Sequence, residues 1–249
     1  GINSLKTNNE FYKNTFSLPG SLKWNNYVAA WKEGVGAYYL NSILVTGISV
    51  IAILLVSTMT AYLITRFEFK CKKIIIAFLI GGMFVSPQTA IIPLYNLLHG
   101  MRLYNTYFSM IIPIVAFRLS FSFFMLYPAF KEFPKELEEA AELDGANKLQ
   151  QFKHIILPSI KTIVTLNIIL SITGSLSAFE PPYVITGGTF GTATYFVMMN
   201  SLAHEKGKIG LAAAMAVVLM GLIFIVTIFQ HVSGGSFGDR CGYSGTEQE

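Results

Sequence analysis

The chain has 249 residues, of which 53% are apolar and only 13% charged, and its net charge is +4. Soluble domains carry roughly 25% charged residues, so this composition excludes an ordinary soluble globule and points to a bundle of membrane helices. The basic excess is small, and no Lys/Arg-rich run is interleaved with aromatics, which leaves the charges as a signal of topology rather than of a nucleic-acid partner.

Residues 1–37 are polar and aromatic, with Pro19, Trp24 and Trp31. Five charge-poor runs follow, each long enough for the roughly 20 apolar residues that a span requires. Tyr38–Thr65 and Ile74–Leu98 contain no charge. Asn105–Tyr127 contains only Arg118, Ile155–Phe179 only Lys161, and Ile209–Gln230 none. Pro87, Pro93, Pro113 and Pro128 fall inside or at the ends of these runs and predict kinks, which membrane helices tolerate where neighbours or water satisfy the freed carbonyls.

Lys and Arg concentrate in alternate links. Arg66, Lys70, Lys72 and Lys73 follow the first run; Lys131, Lys135, Lys148 and Lys153 follow the third; only Arg102 lies between the second and third. The positive-inside rule then makes links 66–73 and 128–154 cytoplasmic, and link 99–104 and loop 180–208 external. The C-terminus falls inside and residues 1–37 outside. An upstream first span is expected to carry that segment across, giving six in all. Residues 231–249 contain the Gly- and Ser-rich stretch Ser233–Glu249, which has no apolar period and is expected to be disordered. The expected units are thus an external segment 1–37, a membrane domain 38–230 with a cytoplasmic loop 131–154, and a tail 231–249. Cys71, Cys241 and four scattered histidines show no metal or redox spacing.

The most structured link is Pro134–Pro158. Pro134 suits the first turn of a helix, and Glu136, Glu138 and Glu139 lie where the helix dipole favours acids. Leu137, Ala140, Ala141 and Asp144 recur at helical spacing, which predicts one shared face of small side chains. Gly145 can accept a positive φ and stop the helix. A second short helix over Asn147–His154 leads into the next span. By pattern the segment reads either as a compact lever that fits a partner's cleft or as a solvated surface helix.

Glu139-Ala140-Ala141, then Gly145, then Ile155-x-Leu157-Pro158 resembles, at every spaced position, the EAA loop of ATP-binding-cassette importer permeases. Asn25, Tyr27, Trp31 and Asn41-Ser42 resemble the carbohydrate-uptake branch. The run Pro134–Ala141 with Leu143-Asp144-Gly145-Ala146 resembles MalG-type subunits. Tyr183–Gly188 with Thr194 resembles a pattern frequent in MalF-type partners and present in some MalG-type chains. The resemblance implies an all-α, type I importer permease (MetI-like) helical bundle in a bacterial or archaeal cell membrane. It implies a second permease subunit, commonly as a heterodimer, two ATPase subunits and an extracytoplasmic solute-binding protein. ATP would be bound by those partners and no cofactor by this chain, which has no G-x-x-x-x-G-K-[ST] phosphate loop. Glu139, Ala140, Ala141, Asp144 and Gly145 would form the ATPase contact and turn, with Leu157 and Pro158 fixing the loop to the next span. The cargo implied is a sugar or oligosaccharide.

Polar groups inside membrane spans mark pathways by default because they are costly in lipid. Arg118, Asn167, Ser171, Ser175 and Glu180 are therefore candidates for a substrate path, with Thr173 and Ser177 beside them. Arg118 could instead meet a partner helix or a headgroup, and the small polar residues could bond between helices. An ion-coupled transporter would need buried carboxylates, and Glu180, at a span edge, is the nearest approach to one. A non-transporting scaffold would explain the spans but not the spaced loop. An importer of another small solute would share every feature.

Overall fold

The computed structural model describes residues 2–32, 36–188 and 191–238, and every regular element among them is helical. Two short helices, α1 (Asn8–Lys13) and α2 (Asn25–Ala30), precede the first long one, α3 (Gly36–Arg66). Then come α4 (Lys72–Gly82), α5 (Pro87–Gly100) and α6 (Tyr107–Glu132). The projecting link holds α7 (Lys135–Leu143), α8 (Lys148–Gln151) and α9 (Leu157–Ser159), and α10 (Lys161–Leu176), α11 (Tyr195–Asn200) and α12 (Ile209–Gly238) complete the order. Helices form along the apolar runs because in lipid every backbone polar group must be satisfied within its own segment.

Among the described residues four stretches are long and apolar enough to cross a membrane: Tyr38–Arg66, Tyr107–Glu132, Lys161–Thr186 and Ile209–Phe229. The run Ile74–Leu98, expected as one span kinked at its prolines, is instead two helices, α4 and α5, bent by 110°. The break has a local cause. Ser86 is extended (φ −70°, ψ 130°) because proline clashes with a helical residue before it, and Pro87 starts the next helix, where its missing N–H costs nothing. Counting the bent pair as one gives up to five spans.

The central helix is α6, which packs along most of α3 and also against α4, α10 and the turn Pro181–Thr186. At one end of the bundle Ile64, Phe123, Leu126, Phe130, Phe133, Ile156 and Ile160 form a buried cluster. Arg66 meets Phe133 and Glu138 there, so the two Lys/Arg-rich links share this end, as their charges predict. At the other end Ala30, Tyr195, Leu202, Leu211, Met215 and Leu219 form a second cluster. Here Asn41 gathers three strands of chain: its Nδ2 donates to Gly191 O (2.7 Å) and Ala193 O (3.1 Å), and its Oδ1 accepts from Tyr107 Oη (3.1 Å). Ser42 Oγ accepts from Tyr195 N at 2.9 Å.

Residues 2–30 pack onto the start of α12. No apolar period announces this, because beyond Ala29 and Ala30 polar groups make many of the contacts. Lys6 is fully buried, with its ammonium donating to Asn14 O (3.1 Å) and Thr15 O (2.8 Å). Asn26 Nδ2 donates to Ser4 O at 2.8 Å, and Asn8 Oδ1 accepts from Gly210 N at 3.3 Å. At the other terminus α12 runs to Gly238. Residues 233–238, expected to be disordered, therefore continue the last span as helix. Residues 239–249 of that tail, with Cys241, lie outside the described residues.

Candidate functional site

The link between α6 and α10 is built as a projecting hairpin of short helices. Phe133 (φ −68°, ψ 123°) and Pro134 (φ −61°, ψ 129°) are extended and end α6. Pro134 is thus the residue capping α7, one position earlier than its expected place in the first turn. At the far end Asp144 caps the helix and Gly145 takes φ +85°. Gly145 N donates to Glu142 O and Ala146 N to Ala141 O, at 3.1 and 2.9 Å. These are the two reversed bonds of a Schellman ending, which satisfies carbonyls that the helix leaves open. Asn147 then starts α8 with reciprocal bonds to Gln150, each 2.9 Å, a capping box.

The return arm is less regular than expected. After α8 the chain makes a π-helical turn over Phe152–Ile156 before α9. The wider turn takes one more residue than an α turn and so rotates the helix beyond it. Ile156, the last residue of that turn, is fully buried and Ile160 nearly so, in the cluster with Phe130 and Phe133. Leu157, expected to fix the loop to the next span, is only half-buried, and Pro158 is exposed. The anchor falls on Ile156 and Ile160.

The faces of α7 also divide differently from expectation. Glu138 and Ala141 are buried. Arg66, the last residue of α3, places Nη2 2.5 Å from Glu138 Oε1, both side chains being nearly buried. That pins Glu138 inward, and Ala141, three residues on, shares its face. Ala141 is thus a packing residue here. The outward surface comprises Leu137, Glu139, Ala140, Leu143 and Asp144, with Leu149 beside them. Leu143 is 90% exposed and Leu149 75%. In the sequence Leu143 stands out only as part of the run 143–146 and Leu149 not at all, neither as a contact residue, though a leucine beside the capping residue Asp144 is a readable signal. Next to this surface lies an open groove of about 420 Å³ lined by Asp144, Gly145, Ala146, Gln150, His154 and Ile155. Lys148 and Glu142 pair across the hairpin at 2.7 Å, and that bond raises the lysine's pKa.

The intramembrane candidates form no single constellation. Asn167 and Ser171 are buried on α10, and Asn167 crosses to α6: Ser122 Oγ donates to Asn167 Oδ1 (2.8 Å) and Asn167 Nδ2 to Ser122 O (3.2 Å), while Ser171 Oγ donates to Asn167 Oδ1 (3.2 Å) within α10. The polarity of Asn167 is spent between helices, and that of Ser171 on Asn167. Ser175 is buried with them on α10. Arg118 differs. It is half-buried, makes no hydrogen bond or ion pair among the described residues, and lays its guanidinium across Gly174, where a Cβ would fall 1.4 Å from Nη2. Glu180 lies elsewhere, at the start of the turn 181–186. Its Oε1 accepts from Gln88 Nε2 at 2.9 Å, tying that turn to the break between α4 and α5.

Comparisons with known proteins agree with this architecture. The model of the family described as "binding-protein-dependent transport system inner membrane component" matches residues 27–235. The chain is 36% identical over 169 residues to the probable ABC transporter permease protein YurM of Bacillus subtilis, covering 68% of this chain and 56% of that one. It is 30% identical over 242 residues to the diacetylchitobiose uptake system permease protein NgcG of Streptomyces coelicolor, covering 94% and 79%. The matched stretch thus spans little more than half of the first relative and about four fifths of the second. Among solved structures, a bacterial ABC transporter involved in import of the acidic polysaccharide alginate superposes with a TM-score of 0.74 over 93% of this chain and 86% of that one. Its 16% identity makes this a likeness of fold. A projecting hairpin between two spans, on a type I permease bundle, with a family match over most of its length, leaves one conclusion: this chain belongs to the family of inner membrane components of binding-protein-dependent transport systems.

Proposed function

We propose that this chain is a permease subunit of an ATP-driven, binding-protein-dependent importer, and that it takes a sugar or oligosaccharide. The hairpin 135–156 is its coupling element. The observation that carries this reading is the exposed surface of α7, where Leu137, Ala140 and Leu143 stand outward on a short helix held rigidly by its Schellman ending. Large apolar side chains on a capped projection favour a partner's groove over water. The partner is an ATP-binding-cassette ATPase in the cytoplasm, since the Lys/Arg-rich links place this end inside. A second permease subunit would complete the pore, and an external solute-binding protein would deliver cargo to the opposite end, where Asn41 and Ser42 hold residues 191–195. ATP is bound and hydrolysed by the partners, and it drives alternating access only as far as it favours the closed state. The relation to a diacetylchitobiose uptake permease supports the cargo class. Of the intramembrane polar groups, Arg118, Ser175 and Glu180 remain the candidates to meet cargo, because Asn167 is bonded to α6 and Ser171 to Asn167.

The test is affinity purification of the chain with its ATPase from membranes, and uptake in proteoliposomes. Leu143→Asp and Gly145→Glu are expected to insert normally but to lose the ATPase and uptake together. Retention of both by both variants refutes the coupling role. A ligand screen on the cognate binding protein tests the cargo: binding of amino acids or peptides, with no saccharide, refutes the sugar reading.

A further inference from the structure

The coupling hairpin is joined by the chain to α6 and α10, but its closest ionic tie is to a third helix. Arg66 ends α3, and its guanidinium serves two parts of the hairpin at once. Nη2 approaches Glu138 Oε1 to 2.5 Å and donates to Phe133 O at 3.3 Å, while Cζ lies 5.7 Å from the centre of the Phe133 ring. One turn earlier on α3, Tyr62 packs edge-on against Phe130, before the hairpin, and Phe152, on its return arm, with ring centres 6.1 and 5.7 Å apart. The last turn of α3 therefore touches the entry, the helix and the return arm of the hairpin. Only Glu138 and Ala141 of α7 are buried, and α7 packs mainly on α8. Arg66–Glu138 is thus the principal side-chain link between α7 and the spans.

Apolar contacts alone would let the hairpin slide over the end of α3, since dispersion and burial are non-directional. A buried ion pair behaves otherwise. Removing one partner leaves an uncompensated buried charge, so the pair holds one geometry and resists separation. The approach of the guanidinium to the Phe133 ring, together with its bond to Phe133 O, ties the same side chain to a second residue of the hairpin.

We propose that Arg66 and Glu138 are positioning residues that make α3 move with the coupling helix, so that the ATPase stroke reaches the first described span directly as well as through α6 and α10. This rests on the coupling role proposed above for the hairpin. The experiment uses the complete transporter in proteoliposomes and reads three quantities: ATPase retained on purification, ATP hydrolysed, and substrate taken up. Glu138→Gln, near in size but neutral, is expected to keep the ATPase bound and to lower uptake per ATP by at least about fivefold, the lower end of ordinary coupling effects. Arg66→Gln is expected to match it. The exchange Arg66→Glu with Glu138→Arg restores a pair of the same sign relation, and is expected to recover a ratio above either single variant. If the neutral variants do not assemble, Glu138→Asp keeps the charge but shortens the reach and is expected to give an intermediate ratio. A normal uptake-to-ATP ratio in the assembled single variants, or in Glu138→Asp, overturns the proposal, and so does an exchange no better than the single changes. Loss of ATPase from Leu143→Asp but not from Glu138→Gln separates docking from transmission. Failure of Leu143→Asp to release the ATPase refutes the docking reading itself.

Discussion

Gly145 offers a clean test of whether the coupling turn acts through its backbone shape. Its φ of +85° lies where L side chains are strained, and a Cβ built there meets nothing within 4 Å. Substitution therefore costs conformational energy without a clash. That cost is about 1–2 kcal/mol for an ordinary L residue in the left-handed region, lower for asparagine, which tolerates that region, and higher for a β-branched residue. One or two kcal/mol is roughly a 5–30-fold change in the ratio of two states. The series Gly145→Asn, Gly145→Ala, Gly145→Val should thus lower coupled uptake in that order, with asparagine closest to the parent. The assay is initial uptake in proteoliposomes at saturating ATP, normalised to reconstituted transporter. Limited proteolysis of the hairpin reports the shape of the turn in the same samples. Equal uptake for asparagine and valine refutes the argument, because it would show that the Schellman turn can reform around any residue. Equal loss for all three, matching Gly145→Glu, refutes it in the other direction by pointing to surface contact rather than conformation.

Gly174→Ala should push the guanidinium of Arg118 off α10, because its Cβ would fall on that group; the far end of a long side chain can swing away, so the loss of stability should lie at the low end of overpacking costs, about 1 kcal/mol. Arg118→Ala in the same background should recover most of that loss, and thermal unfolding in detergent would show additivity instead if the two side chains do not meet. At the opposite end, Ser42→Ala leaves the amide of buried Tyr195 without its acceptor, at a cost of about 1–3 kcal/mol. Amide exchange around residues 193–197 should quicken accordingly, and an unchanged rate would show that water replaces the serine.

Charge-free length made the spans readable, since lipid leaves the backbone little choice but helix. The alternation of basic links likewise anticipated that 66–73 and 128–154 share an end. What escaped depends on distant partners. Glu138 reads as one more acid in a helix start until Arg66 is seen against it, and the face of α7 is set by that pairing rather than by its own period. Pro87 marked a kink in the sequence, but not that the bend would reach 110° and divide the run into two helices. The π-helical turn that ends on the anchoring Ile156 has no compositional signature here. The burial of Lys6 was illegible because it rests on carbonyls of Asn14 and Thr15, groups that every residue possesses. Arg118 was legible as an exception, yet its resting place on Gly174 required the helices to be brought together.

The bend between α4 and α5 bears on how the protein enters the bilayer. With 11 and 14 residues, the two pieces are about 16 and 21 Å long at 1.5 Å per residue. Each falls short of a hydrocarbon layer of about 30 Å. Neither is a self-sufficient anchor, and a bent chain left alone in lipid would expose the carbonyls at its corner. The pair needs a docking surface, which α6 and the turn 181–186 provide, and both are synthesised after it. A stretch as free of charge as any other span in the sequence is thus the one whose final placement must wait for the rest of the chain.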